Sequence, residues 1–335
     1  MDKTIPRLSF ITGANDKYFF LCNILLQSLE EFFPGIPCFV MDFGFTESQV
    51  KFFERKNCLL KLPPHLKKTD HPYKLKSSLR TFLHEKTSAM LLWVDSDIIA
   101  VTAGTKQLFA IVDHLHDQRK TIAIAPDYGR PKAVTIGEHV EFGEPLPKFK
   151  LAVSNNPEIL ERIYFNSGLV FFSDHKVLED WEAASSSLEG DWLWEQYALN
   201  LVCGRNPNEV MILDPHIWNV QGSLLRKISI HNDGVYCGEE KSIFAHATSV
   251  DEPGHNTIAV NQSISKNGYG CNTYMRLFQN SFLRMTQDRQ LSNFLSANFA
   301  LLKDLNILFN LNTRRNDLCP CGSGNRFKHC HGADL

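Results

Sequence analysis

The 335 residues carry 35 basic side chains (Lys and Arg) against 37 acidic ones, a formal charge of −2 that offers no global field to nucleic acid or an anionic membrane and argues against DNA as a partner. No stretch of about 18 apolar residues without charges occurs. MDKTIPRLSF also lacks the apolar core of a secretory signal, so no transmembrane segment and a cytoplasmic location are expected for one large domain with an appendage.

In chain order, RLSFIT predicts a strand, and apolar spacing from Tyr18 to Phe33 predicts a helix that Pro34 ends. PCFVMDF predicts a second strand, Glu47 to Arg55 a helix, and the region of Leu59 a short strand. Tyr73 to His84 then reads as a helix, AMLLWV as a strand buried on both faces, Lys106 to His116 as a helix and TIAIAP as a strand. Such alternation predicts an α/β fold, Rossmann-like, with a mostly parallel sheet flanked by helices and ligands bound beyond the carboxyl ends of its strands. From Tyr128 to Ile159, Gly129, Pro131, Gly137, Gly143, Pro145, Pro147 and Pro157 break the pattern and predict a long functional loop that selects an acceptor. YFNSGLVFF resumes the sheet, His175 to Ala184 and Trp192 to Val202 predict helices, and MILDPHIWNV predicts a short strand entering a polar turn. Leu291, Phe294, Leu295, Leu302, Leu305 and Phe309 recur at helical spacing and predict a helical connector.

Chemistry concentrates at the end of AMLLWV. Asp95 and Asp97 emerge there, and in extended geometry residues i and i+2 face the same way, so two hard oxygen donors suited to Mg²⁺ or Mn²⁺ share one side. A bare D-x-D is equally a turn or a helix cap, and its context decides between them. Lys61, Lys67, Lys68, Lys74, Lys76 and Arg80 are each unremarkable on a solvated face, but together they suggest a locally built anion site.

LLWVDSDIIAV resembles the D-x-D segment of the GT-A glycosyltransferases, above all the glycogenin-like and bacterial lipopolysaccharide galactosyl- and glucosyltransferases. Three more segments match in the family's order. ITGANDKYF, with Thr12, Asn15, Asp16 and Tyr18, is similar to the loop that holds the nucleotide base and ribose. FNSGLVFF, with Asn166, Ser167 and Gly168, resembles the strand whose polar residues line the donor-sugar pocket. WEQYALN, with Glu195, Gln196 and Asn200, resembles a diverged D-Q-D-x-L-N helix. The four segments lie within residues 7–250.

This resemblance implies a metal-dependent glycosyltransferase that moves a sugar from a nucleotide-sugar donor, a UDP-sugar, to a glycan, lipid-linked or protein acceptor. It implies Mn²⁺ or Mg²⁺ on Asp95, Asp97 and His246 in SIFAHATSV, with His216, His231 and His255 as weaker alternatives. The family's glycine and lysine three and six residues after that histidine are replaced by Ser249 and Glu252, so the usual diphosphate clamp is missing and Lys74, Lys76 and Lys241 are the candidates to supply that charge. Glu195 is the candidate base or sugar-positioning carboxylate, and Gln196 a donor-binding residue. Asp127 could bind donor or acceptor, Asp214 and Asn219 stand on the acceptor side, and retention or inversion stays open. A different class of function, a degenerate transferase scaffold serving as an adaptor, remains the alternative. A sugar nucleotidyltransferase is disfavoured because Gly13 stands alone where a glycine-rich phosphate loop would be.

Of nine cysteines, Cys22, Cys38, Cys58, Cys203, Cys237 and Cys271 are scattered, as reduced core residues are. Cys319, Cys321, Cys330 and His331 cluster and make a tetrahedral donor set for structural Zn²⁺, with His329 as a substitute for His331. So short a segment cannot build an apolar core, so metal binding and folding are one event. NDLCPCGSGNRFKHCHG closely resembles the SEC-C module found at the end of the bacterial preprotein-translocating ATPase. Arg314, Arg315, Arg326 and Lys328 make it mildly basic, and a protein or ribosome contact is expected of it. The expected domains are a GT-A glycosyltransferase over 1–272, a connector over 273–312 and the zinc module over 313–335.

Overall fold

A computed structural model of the chain describes residues 7–83, 90–127, 135–140 and 146–246, together with positions 316 and 326. The expected connector and zinc ligands lie outside the described residues.

The described chain runs β1 (Ser9–Ala14), α1 (Phe19–Phe32), β2 (Cys38–Asp42), α2 (Glu47–Arg55), β3 (Leu59–Leu60), α3 (Pro72–Ser77), α4 (Leu79–Phe82) and β4 (Leu91–Val94). It continues through β5 (Ile98–Ala100), α5 (Thr105–Asp117), β6 (Ile122–Pro126), α6 (Ile136–Val140), α7 (Pro147–Val153), β7 (Phe165–Phe172), α8 (His175–Leu188) and α9 (Trp194–Arg205). Last come β8 (Val210–Ile212), α10 (Pro215–Trp218), β9 (Ile228–His231), β10 (Gly234–Cys237), β11 (Glu240–Lys241) and β12 (Phe244–His246). Among the described residues no helix is long and apolar enough to cross a membrane.

Seven strands form the main sheet in the order β3-β2-β1-β4-β7-β6-β8. All its pairs are parallel except those of β7, which is antiparallel to both β4 and β6. The sheet is therefore mostly parallel and flanked by helices, the α/β class that the alternation of elements predicts. Because both faces are covered, the strands read as continuous apolar runs, yet the period of two still sorts them. Phe10, Leu92, Val94, Ala123, Leu169 and Phe171 pack with Leu25 and Leu29 of α1 and Leu108 and Leu115 of α5. Ile11, Leu91, Trp93, Ile122, Ile124 and Phe172 point the other way, into the cluster that holds Leu178 and Trp181 of α8 and Tyr197 of α9. Each such fully buried Leu, Ile or Phe contributes about 1.5–3 kcal/mol.

Several elements depart from the sequence reading. The helix expected from Tyr73 to His84 is divided into α3 and α4 at Ser78, whose φ of −80° and ψ of 19° leave the helical region. The loop expected over Tyr128 to Ile159 holds α6 and α7 and a 3₁₀ turn at Pro157–Glu161. Pro147 stands in the first turn of α7, where its missing N–H costs nothing, and Phe149 and Val153 are buried one turn apart. The polar turn expected after β8 is helical: Asp214 caps α10 by accepting from the backbone of His216, and Pro215 opens the helix. Two pairings were invisible in the sequence, the antiparallel β5–β12 ribbon and the three-stranded β11-β10-β9 sheet.

The chain builds outward from β1 through β2 to β3, then returns to place β4 on the other side of β1. That reversal opens a crevice beyond the carboxyl ends of β1 and β4, where open α/β sheets take their ligands.

Candidate functional site

Asp95 leaves β4 into this crevice. Its backbone N–H donates to the carbonyl of Gly168 (2.7 Å) and its own carbonyl accepts from Ile98 (3.0 Å), closing a tight turn that carries Asp95, Ser96 and Asp97 between β4 and β5. The indole N–H of Trp93, two residues earlier on the same face, donates to Asp95 Oδ1 at 2.7 Å. His246 reaches the turn from the far end of the described chain, because β12 pairs with β5 so that His246 lies opposite Ile98. Ligand atoms of Asp95, Asp97 and His246 all lie within 4.8 Å of one another.

A chain of amides fixes the imidazole. Asn166 Oδ1 accepts the backbone N–H of Gly168 (2.9 Å) and also the side-chain amide of Asn219 (3.0 Å), which identifies the oxygen of each carboxamide. Asn219 Oδ1 must then face His246 Nδ1, at 3.0 Å, so Nδ1 carries the proton. Nε2 is left toward Asp97, 3.3 Å from its Oδ1. This is how a metal-binding histidine is oriented from behind. Burial works against a charge on His246, but the Asp97 and Asp95 carboxylates outweigh it and raise the imidazole above its ordinary range. Gly168 makes room for the ring: a Cβ there would stand 2.4 Å from His246 Cε1 and 2.8 Å from Asn166 Oδ1.

Lys76 of α3 is 5% exposed and brings the cationic charge. Its ammonium lies 3.0 Å from Asp95 Oδ1 and 2.9 Å from Glu195 Oε1, donates to Ser167 Oγ at 3.1 Å, and sits 5.5 Å over the ring of Trp93. Burial disfavours its charge, yet the two carboxylates prevail and hold the pKa above the usual lysine value. Glu195 is raised, by burial first and by Asp95, against the opposing pull of Lys76. One cation shared between two carboxylates cannot fully satisfy both. Glu195 Oε2 is buried with no hydrogen-bond partner among the described residues.

The remaining predicted residues divide between site and scaffold. Gln196 accepts from the Ser167 backbone (3.1 Å) and donates to Asp127 Oδ2 (3.2 Å) and Tyr164 Oη (2.8 Å), so Asp127 joins the site network. Asn200 grips both the N–H (2.7 Å) and the carbonyl (2.9 Å) of Phe165 and acts as a fastener between α9 and β7. Asn219, expected on the acceptor side, is fully buried behind His246. Asp214 serves as a cap. Thr12 is buried in β1, and Asn15, Asp16 and Tyr18 follow at its carboxyl end, where Asn15 Oδ1 accepts from the backbones of Lys17 and Tyr18. Lys74 pairs with Asp70 and Lys241 with Asp233, which leaves Lys76 as the lysine at the carboxylates. His216 pairs with Asp214, His231 with Ser229, and His255 lies outside the described residues. Sequence reasoning passed over Trp93, whose position two residues before Asp95 was the available signal.

A family model, the SEC-C motif, matches residues 315–333. Solved glycosyltransferases are similar to the chain. The galactosyltransferase LgtC in complex with donor and acceptor sugar analogues matches at 14% identity and a TM-score of 0.46, over 78% of this chain and 95% of that one. The bifunctional glycosyltransferase WbbM in its apo form matches at 13% identity and a TM-score of 0.48, over 83% of this chain and 52% of that one. Mouse xyloside xylosyltransferase 1, also apo, matches at 14% identity and a TM-score of 0.45, over 71% of this chain and 97% of that one.

The donor set fits a divalent cation. Two carboxylates and an imidazole with its Nδ1 proton held from behind converge at a strand end, and Gly168 keeps the space that a Cβ would fill.

Proposed function

We propose that the chain is a metal-dependent glycosyltransferase that takes a nucleotide sugar, a UDP-sugar, as donor and a glycan, lipid-linked sugar or protein as acceptor. The observation that carries this reading is the convergence of Asp95, Asp97 and His246 beyond β4, with His246 Nε2 turned inward by Asn219. Asp95, Asp97 and His246 would hold Mn²⁺ in preference to Mg²⁺, since Mg²⁺ favours an all-oxygen shell. A cation there supplies Lewis acidity that neutralises charge growing on the departing diphosphate.

The chain's own side chains set the rest. Lys76, held protonated between Asp95 and Glu195, adds a fixed positive charge and stands in for the lysine absent after His246. Glu195 Oε1 is occupied by Lys76 and Ser167, so its free oxygen, Oε2, serves to accept a sugar hydroxyl rather than to strip a proton. Gln196, Asp127 and Asn166 extend this polar wall, and Thr12 of β1 with Asn15, Asp16 and Tyr18 of the loop after it would hold the base and ribose. Cys319, Cys321, Cys330 and His331, inside the SEC-C match, suit a closed structural Zn²⁺ site that serves as a docking surface for a protein or ribosomal partner.

The reading is tested by a hydrolysis screen of nucleotide sugars with Mn²⁺ on the wild type and on Asp97→Ala. Turnover of at least one donor is expected, with a loss on the order of 100-fold in the variant. Equal turnover in both removes the role assigned to the pair. In the scaffold alternative neither protein would turn over a donor, and Mn²⁺ and UDP would show no linked binding.

A further inference from the structure

Gln221 is 1% exposed, and both its Oε1 and its Nε2 are buried without a hydrogen-bond partner among the described residues. A folded chain seldom leaves a whole carboxamide in this state, because desolvation of both polar ends is then uncompensated. The backbone explains where the group stands. Val220 forms a parallel bridge with Ala245, its N–H donating to Phe244 O at 3.2 Å and its carbonyl accepting from His246 at 2.8 Å. Gln221 is extended, with φ −137° and ψ 170°, so this register sets it beside His246. Asn219, two residues before it, already reaches His246 Nδ1. The backbone register thus sets the residue that carries this buried, unpaired amide beside His246, the third member of the Asp95–Asp97–His246 cluster.

We infer that Gln221 is a binding residue for the transferred sugar, with its N–H and its carbonyl oxygen engaging hydroxyl groups of the donor. The choice of ligand follows from the donor–acceptor inventory. A phosphate offers acceptors alone and would leave Oε1 unpaired, whereas a sugar hydroxyl both donates and accepts and satisfies the two ends together. Beside a cation site for the diphosphate, the next group along a nucleotide sugar is the sugar itself. The inference rests on the transferase reading and adds to it a specificity-determining residue that no sequence motif above contains.

The test is calorimetric titration with UDP and with UDP-sugars, in Mn²⁺, on the full chain and on Gln221→Leu, with thermal melting as control. In the wild type a UDP-sugar should bind about tenfold or more tightly than it does to Gln221→Leu, because a missing hydroxyl partner leaves polar groups unpaired. UDP itself should bind both proteins alike, and the melting temperature should hold or rise, since leucine removes two unsatisfied atoms. Gln221→Glu, which keeps the shape but loses the donor, should also weaken UDP-sugar binding and serves if the leucine variant fails to fold. Unchanged UDP-sugar affinity with a shifted melting temperature would mean that Gln221 holds only buried water, and the inference falls alone. Equal weakening of UDP and UDP-sugar would assign the amide to the nucleotide and overturn the sugar assignment. A wild type that binds no nucleotide sugar would remove this inference and the transferase reading together.

Discussion

At the scale of residues, the site is a set of charges held by neutral amides. Asp95 and Asp97 point to one place because they flank a turn at a strand end, and His246 joins them in a defined tautomer because Asn219 and Asn166 leave it no other. Gly168 has little latitude. Gly168→Ala would drive its Cβ into the His246 ring and displace it. We expect Mn²⁺ affinity to fall roughly 10–100-fold, as when a ligand's orientation is lost, while the far-ultraviolet circular dichroism stays native. Isothermal titration with Mn²⁺ measures it, and unaltered affinity would separate His246 from the cation. Asp95 and Asp97 were legible in the sequence since their relation is local. Lys76 was one of three lysines until burial distinguished it, because ammonium groups on a basic surface look alike in a sequence.

At the scale of elements, α9 carries site chemistry on its first turn and scaffold contacts beyond it. The chain enters it through Leu193 in a left-handed conformation (φ 46°), and Trp181 of α8 donates its indole N–H to the carbonyl of Glu195 at 2.8 Å while its ring stacks on Phe172. Trp181→Phe keeps much of the ring and removes that buried hydrogen bond, while the carbonyl keeps its place in the helix ladder, which should cost about 0.5–1.5 kcal/mol. Urea denaturation reads the loss, and a midpoint equal to that of the wild type would show that the indole hydrogen bond adds nothing. The elements themselves were largely legible. Their apolar periods follow from burial on one or both faces, and the principal strands and long helices appear where the periods place them. What failed was punctuation: Gly and Pro between Tyr128 and Ile159 suggested a loop, but proline at the first turn of α7 starts a helix as readily as it ends one.

At the scale of the whole molecule, the proposed metals have separate tasks, and a cysteine double variant separates them. In Cys319→Ser/Cys321→Ser, zinc content should fall from about one equivalent per chain to none, while Mn²⁺-linked UDP binding persists. Mass spectrometry of the metal and calorimetry together decide it; retained zinc would reassign its ligands. By itself the sequence determined the α/β class, the D-x-D turn and the C-terminal cysteine motif, for each depends on residues close together in the chain, where periodicity and spacing act. Only the tertiary structure decided that β7 runs against its neighbours, that β12 carries His246 back to β5, and that Lys76 rather than Lys74 meets the carboxylates. Those are pairings between distant segments, selected by which surfaces bury together, and no local pattern of side chains records them.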